Sequence, residues 1–260
     1  MNVKMFLYLY FFAEICFMNN SFAMDTGKDT KVIQTAIKAL SPSRSFVYYD
    51  LHLSENEKSA VNALKINKTD SYNNYANLNA LGPEVREFIK TLGLGKGNET
   101  NAKEVARLIV RLVNEILQAS GQETAWVAVR AFTPTSEYDV PRWHTDGYYF
   151  EPYSGNLYKF ALTLKGPPTL FYRLPDNKRE EFYALWRKGT EQNDYNRQAF
   201  ADMLGQSKEA ISIAQAYQGA VFIVGSNNAA VHSEPPIKEE RLFISILPGS
   251  KTQIKEWESK

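Results

Sequence analysis

Gly219-Ala220-Val221-Phe222-Ile223-Val224 leads through Gly225-Ser226-Asn227-Asn228 to Val231-His232-Ser233-Glu234-Pro235-Pro236. Arg241-Leu242-Phe243-Ile244-Ser245-Ile246-Leu247 follows shortly after. Two runs of branched and aromatic residues, Ala220–Val224 and Arg241–Leu247, are thus separated by Gly/Asn and Pro-Pro turn signals. That is the pattern of short strands, not helices. Thr124–Phe132, Leu157–Leu164 and Thr169–Arg173 have the same texture, and Gly166-Pro167-Pro168 punctuates the last two. Several short strands at this spacing predict a sandwich or barrel. A polar helical insert at about 177–215, with Phe182, Leu185 and Trp186 on one face, interrupts them. It is read either as a lid or as a solvated excursion.

The chain upstream of Gly121 has mainly helical periodicity. Val32, Ile33, Ala36, Ile37 and Leu40 recur at helical spacing, and Ser45–Leu53 is β-rich. Ser54-Glu55-Asn56-Glu57 is a capping box opening a helix through Leu64. Residues 67–79 are polar and predict a loop. Pro83 then stands at a first helical position with Gly93 just past the helix end. Val105, Leu108, Ile109, Leu112, Val113, Ile116 and Leu117 form the strongest amphipathic stripe, with Asn101 and Glu104 as its cap. This stripe is expected to pack on a sheet, with a groove for a partner helix as the alternative. The predicted organisation is a signal at 1–23, a mainly helical support at 24–120, and a β-core at 121–260. The fold class is α+β, with the helical N-terminal half packed on the sheet.

The 260 residues carry 30 basic and 29 acidic side chains, a net charge of +1, so no basic excess indicates a nucleic-acid partner. Lys4, the apolar run Met5–Ala13 and the small residues around Ser21-Phe22-Ala23 have the layout of a secretory signal cleaved after Ala23. The run is short for a stable membrane span. Cleavage predicts an exported, periplasmic or secreted protein; without it the expectation is cytoplasmic. The one cysteine, Cys16, lies inside this segment. Its removal excludes disulfides, thiolate catalysis and cysteine-based zinc from the mature chain.

Chemistry then falls to His, carboxylate and Arg. His144 and Asp146 are two apart in Arg142-Trp143-His144-Thr145-Asp146-Gly147, so an extended backbone turns both to one side. His232 follows a strand and a turn. Two imidazoles and one carboxylate on adjacent strands are the ligand set of a facial-triad Fe(II) site with open positions. Arg241 lies nine residues beyond His232, and alternation puts Arg241, Phe243 and Ser245 on one face. A guanidinium fork suits a carboxylate; a salt bridge to Glu234 is the alternative. Ser245 adds a hydroxyl donor. Trp143, Tyr148, Tyr149 and Phe150 either face substrate or simply pack. His52 is assigned a structural or surface role.

Three segments together resemble the iron(II)/2-oxoglutarate-dependent dioxygenases, particularly the prolyl-hydroxylase-like branch. They are Val129–Pro134 with Arg142–Gly147, Gly166–Phe171, and Gly219–Val224 with Val231–Pro235. The resemblance spans residues 124–248, about half the chain. It implies a double-stranded β-helix of the jelly-roll or cupin-like kind. It also implies His144, Asp146 and His232 as catalytic iron ligands, with Arg241 holding the distal carboxylate of 2-oxoglutarate. The implied reaction converts 2-oxoglutarate and O2 to succinate and CO2 while hydroxylating an unknown substrate, protein or small molecule. The alternatives are a non-catalytic cupin-like ligand- or protein-binding module and another metal-dependent enzyme on the same barrel. Iron ligation by imidazole further predicts binding that weakens as pH falls through the histidine range.

Overall fold

A computed structural model describes residues 26–93, 97–147, 149–150, 157–191, 196–205, 210–225 and 227–259. The expected signal, Cys16, the cleavage site and Tyr148 lie outside the described residues. In chain order the elements are α1 (Thr26–Lys38), β1 (Phe46–Asp50), α2 (Glu55–Ala63), β2 (Asp70–Tyr75), α3 (Leu78–Leu92) and α4 (Gly97–Ser120). Then follow β3 (Thr124–Phe132), β4 (Leu157–Lys165), β5 (Leu170–Tyr172), α5 (Asp176–Glu191) and α6 (Arg197–Leu204). The chain continues with β6 (Ile211–Ile213), β7 (Gln218–Val224), β8 (Val231–Ser233), β9 (Arg241–Gly249) and α7 (Lys251–Glu258).

Six strands form an antiparallel sheet in the order β1-β7-β4-β9-β3-β2, and three more form a second sheet, β6-β5-β8. An isolated bridge between His144 and His232 adds the segment after β3 to the free side of β8. The central four strands of the large sheet therefore face a small sheet of three strands plus that bridged segment. This is the double-stranded β-helix, with β1 and β2 extending the large sheet at either edge.

Period-two alternation sorts each strand between two environments. Val127, Val129, Phe160, Leu162, Val221, Ile244 and Ile246 point outward and join one core with Val105, Leu108, Ile109 and Leu112 of α4. That core also takes in Ile33 of α1, Val61 of α2, and Leu81, Val85 and Ile89 of α3. The stripe on α4 thus packs on the outer face of the sheet, as expected, and not in a groove for a partner helix. The opposite face looks into the barrel.

The insert is neither lid nor solvated excursion. Phe182 of α5 and Phe200 and Leu204 of α6 are buried against Leu170, Tyr172, Val231 and Trp143. Those four residues alternate with the inward-facing Phe171, His232 and His144, so α5 and α6 back the outer face of the small sheet. The last part of the predicted insert, Ile211–Ile213, is a strand of that sheet.

Three local expectations fail for physical reasons. Residues 70–75, read as loop, are β2; its polarity suits an edge strand paired on one side only, with β3. Helix α3 begins at Leu78, because Leu78 and Leu81 extend its apolar stripe, and this leaves Pro83 inside the helix. Helix α4 begins at Gly97, before the expected cap at Asn101, and Asn98 there bonds the backbone of Lys65 and Ile89. The capping box at Ser54 and Glu57 forms as read.

Candidate metal centre

His144 and His232 are held opposite each other by a reciprocal backbone pair, each N–H donating to the other's carbonyl at 2.9 Å. Partners so paired present their side chains on the same face, and the two rings lie 4.2 Å apart, centroid to centroid. Asp146, two residues along, turns the same way, and its carbonyl accepts from Gly225 N–H at 3.0 Å. One ligating atom from each of the three residues falls within 4.8 Å of the others. Asp146 Oδ1 is 4.0 Å from His144 Nε2 and 3.8 Å from His232 Nε2. Those separations exceed hydrogen-bond reach, so the three groups surround a common point instead of bonding one another.

The tautomers follow from the backbone. His144 Nδ1 donates to the carbonyl of Arg142 at 2.7 Å, and His232 Nδ1 donates to that of Ala230 at 3.1 Å. Each Nε2 is left with a free lone pair about 4 Å from Asp146 Oδ1, the tautomer that a metal-binding imidazole takes from its outer partner. Burial, reinforced by the facing His232, pushes His144 down to about 3, and burial lowers His232 as well. Burial would raise Asp146, but the Lys159 ammonium beside it holds it below the usual carboxylate range. The donors are therefore two neutral nitrogens and one carboxylate oxygen, which fits Fe(II) with positions left open.

Lys159 of β4 is buried beside them. Its ammonium donates to Asp146 Oδ2 at 3.1 Å and to Tyr149 Oη at 3.0 Å, and lies over the rings of Trp126 and Tyr149. Reading the chain gave no warning of Lys159. The available signal was a lone lysine in the apolar run Leu157–Leu164, on the same side as Ala161.

The centre opens into a cavity of about 200 Å³ on the inner face of the large sheet. A row of small residues crosses four strands in register, Ala128, Ser245, Ala161 and Ala220, and two of them, Ser245 and Ala161, line the cavity. Ser245 lies on the same face as Phe243 and Arg241. Arg241 is 1% exposed. Its Nε donates to the Pro167 carbonyl at 2.8 Å and its Nη2 to Thr169 Oγ1 at 3.2 Å, while Phe243 lies under the guanidinium. Burial lowers it to about 10, still charged at neutral pH. Among the described residues no carboxylate pairs with it. Glu234 instead takes a two-pronged contact from Arg142, at 2.6 and 3.2 Å, so the alternative Arg241–Glu234 bridge does not form.

The remaining candidates divide. Tyr149 lines the cavity, whereas Trp143 packs against Tyr172 on the far side of the small sheet and Phe150 is buried in the core. His52 pairs with Asp29 at the end of a network running through Arg111 to Glu57 and Glu115, remote from the centre. A larger cavity, about 370 Å³ between Ser43–Tyr48 and Arg173–Arg179, has none of the ligand residues in its lining.

No family model matches the chain, and no curated protein does. Among solved structures it is similar to a Pseudomonas putida prolyl-4-hydroxylase: 13% identity, TM-score 0.41, 85% of this chain and 98% of that one covered. A Kdo hydroxylase, described as a non-heme Fe(II) alpha-ketoglutarate-dependent dioxygenase, matches at 13% identity and TM-score 0.44, over 88% of this chain and 87% of the other. A Trichoplax adhaerens prolyl hydroxylase in complex with a hypoxia-inducible-factor peptide matches at 8% identity and TM-score 0.37, covering 89% and 93%.

Proposed function

We propose that the protein is an Fe(II)- and 2-oxoglutarate-dependent oxygenase that hydroxylates its substrate. The observation that carries this reading is one cavity holding two unlike half-sites. At one end are the three donors His144, Asp146 and His232; at the other is Arg241, charged, buried and without a protein carboxylate. A buried guanidinium with only neutral acceptors carries a desolvation cost of several kcal/mol. A ligand carboxylate offsets that cost. A short dicarboxylic 2-oxo acid has one end for a metal and one for a guanidinium.

Bound iron with 2-oxoglutarate supplies the chemistry R–H + O2 + 2-oxoglutarate → R–OH + succinate + CO2. The chain's own part is positional. His144 and His232 hold a metal through Nε2, with their Nδ1 protons tied to backbone. Asp146 contributes one negative charge through Oδ1, while its second oxygen is held by Lys159. Arg241 anchors the distal carboxylate, with Ser245 on the same face, and the aromatic walls Phe222 and Phe243 keep water from the cavity floor.

The Lys4–Ala23 layout supports an exported protein within this reading; N-terminal sequencing from the native host decides it, with an intact Met1 contradicting it. For the activity, purified protein reconstituted with Fe(II) is expected to form succinate from 2-oxoglutarate. Asp146→Ala is expected to abolish both succinate formation and iron retention. Retention of iron by the wild type with no succinate would favour the non-catalytic module.

A further inference from the structure

Four cations and two acids line the cavity: Arg130, Arg142, Lys159 and Arg241 against Asp146 and Glu234. Two of the cations are matched within the protein, Arg142 by Glu234 at 2.6 Å and Lys159 by Asp146 at 3.1 Å. The other two, Arg241 and Arg130, have no ion pair among the described residues. On the reading above, Arg241 receives the distal carboxylate of 2-oxoglutarate. Nothing in that reading occupies Arg130. An iron(II) ion and a 2-oxoglutarate dianion carry opposite and equal charge, so loading both leaves the excess positive charge of the lining as it was.

The place of Arg130 in the sheet says which ligand it meets. It stands on β3 between Phe243 of β9 on one side and Ser71 of β2 on the other. Alternation turns it inward, on the same face as Phe132 and Trp126. Beyond it lies the edge strand β2, whose residues on that face are Ser71 opposite Arg130, then Asn73, and Tyr75, which stacks on Trp126. Arg130 is half-buried, in contrast to the fully buried Arg241. One guanidinium therefore sits deep and the other towards the open edge of the same cavity.

We propose that Arg130 is an anion subsite for the substrate, which carries a carboxylate, phosphate or sulfate group near the carbon that is hydroxylated. This rests on the oxygenase reading and deepens it. A half-buried guanidinium recognises such a group through paired N–H donors, while a neutral analogue leaves the charge unmatched. Arg130 thereby selects anionic over neutral substrates.

The test uses the full protein loaded with Mn(II) in place of Fe(II) and saturated with 2-oxoglutarate, with inorganic phosphate as the probe. Relaxation of the phosphate 31P nucleus by the manganese reports an anion held in the cavity even when binding is weak. Saturable enhancement is expected in the wild type, with an at least tenfold weaker phosphate affinity in Arg130→Gln and an intermediate value in Arg130→Lys. The loss of phosphate affinity in Arg130→Gln is expected to exceed any loss of 2-oxoglutarate affinity by the same factor. Equal enhancement in wild type and Arg130→Gln would overturn the proposal, as would no enhancement in a wild type that has bound both manganese and 2-oxoglutarate. Enhancement present in a control with manganese alone but lost in the 2-oxoglutarate-saturated protein would put the phosphate at Arg241 and overturn it too. A wild type that binds neither manganese nor 2-oxoglutarate would defeat the underlying reading, and this inference with it.

Discussion

Gly166 lies directly beneath Arg241: a Cβ built on this glycine would come within 3.0 Å of the arginine Cα and 2.3 Å of the Glu240 carbonyl oxygen. The glycine has φ +79, a region that L-residues with side chains rarely adopt. The next residue, Pro167, provides the carbonyl that accepts from Arg241 Nε. The turn between β4 and β5 is thus the seat on which the deep guanidinium rests.

Gly166→Ala is accordingly expected to destabilise the protein by about 2 kcal/mol or more, from positive φ and the backbone clash together. It should also weaken 2-oxoglutarate binding by displacing Arg241. Thermal unfolding and a binding titration on the same preparation check both effects. An alanine variant with unchanged melting temperature would refute this role for the turn.

Arg241→Lys keeps the charge but loses the fork. Affinity for 2-oxoglutarate is expected to fall by about 1–3 kcal/mol, the scale of a charged hydrogen bond. Fe(II) affinity should change by far less. Because the Pro167 and Thr169 contacts are also lost, a modest fall in melting temperature accompanies the change. A large loss of stability with unchanged 2-oxoglutarate affinity would make Arg241 a structural residue.

The ligand pattern was legible in the chain because it depends on short-range geometry. His144 and Asp146 need only an extended backbone, and Arg241, Phe243 and Ser245 only alternation. Thr124–Phe132, Leu157–Leu164, Thr169–Arg173, Ala220–Val224 and Arg241–Leu247 were readable as strands for the same reason, whereas the three-residue strands β6 and β8 are too short to show a period. What was not legible depends on contacts between distant segments. β2 is a strand because β3 offers it an edge, although its own residues, such as Asn73 and Asn74, favour turns. The insert packs because Leu170, Tyr172 and Val231 leave the small sheet with an apolar back. Lys159 is a partner of Asp146 only because β4 crosses the barrel floor beside it.

Protonation behaviour differs from the expectation for ordinary histidines. With both imidazoles at the usual value near 6.5, metal affinity would fall about tenfold between pH 7.5 and 6. Burial lowers both, His144 to about 3, so His144 stays neutral across that window and His232 takes up its proton at lower pH than an ordinary histidine. Cobalt(II) affinity is expected to fall clearly less than tenfold from pH 7.5 to 6, and a tenfold fall would contradict the buried geometry.

The same shift has a stability consequence for the metal-free protein. Above pH 6.5 the histidines are neutral in folded and unfolded chains alike, and no dependence arises from them. Below it the unfolded chain takes up protons that the folded centre refuses, so stability declines as pH falls from 6.5 towards 3. The limiting slope from His144 is about 1.4 kcal/mol per pH unit. Denaturant titrations across this range should show a smaller slope in His144→Ala. An unchanged slope would mean that His144 titrates normally.

The most direct measurement is an anaerobic titration of the protein with Fe(II) and then 2-oxoglutarate, followed by visible absorption. A metal-to-ligand charge-transfer band should grow to a stoichiometry of one iron and one 2-oxoglutarate per chain. It should be absent from the His144→Ala/His232→Ala double variant. Tight, stoichiometric iron retention by that double variant, or a wild type that binds iron without developing the band, would contradict the assignment of His144, Asp146, His232 and Arg241 to one oxygenase centre.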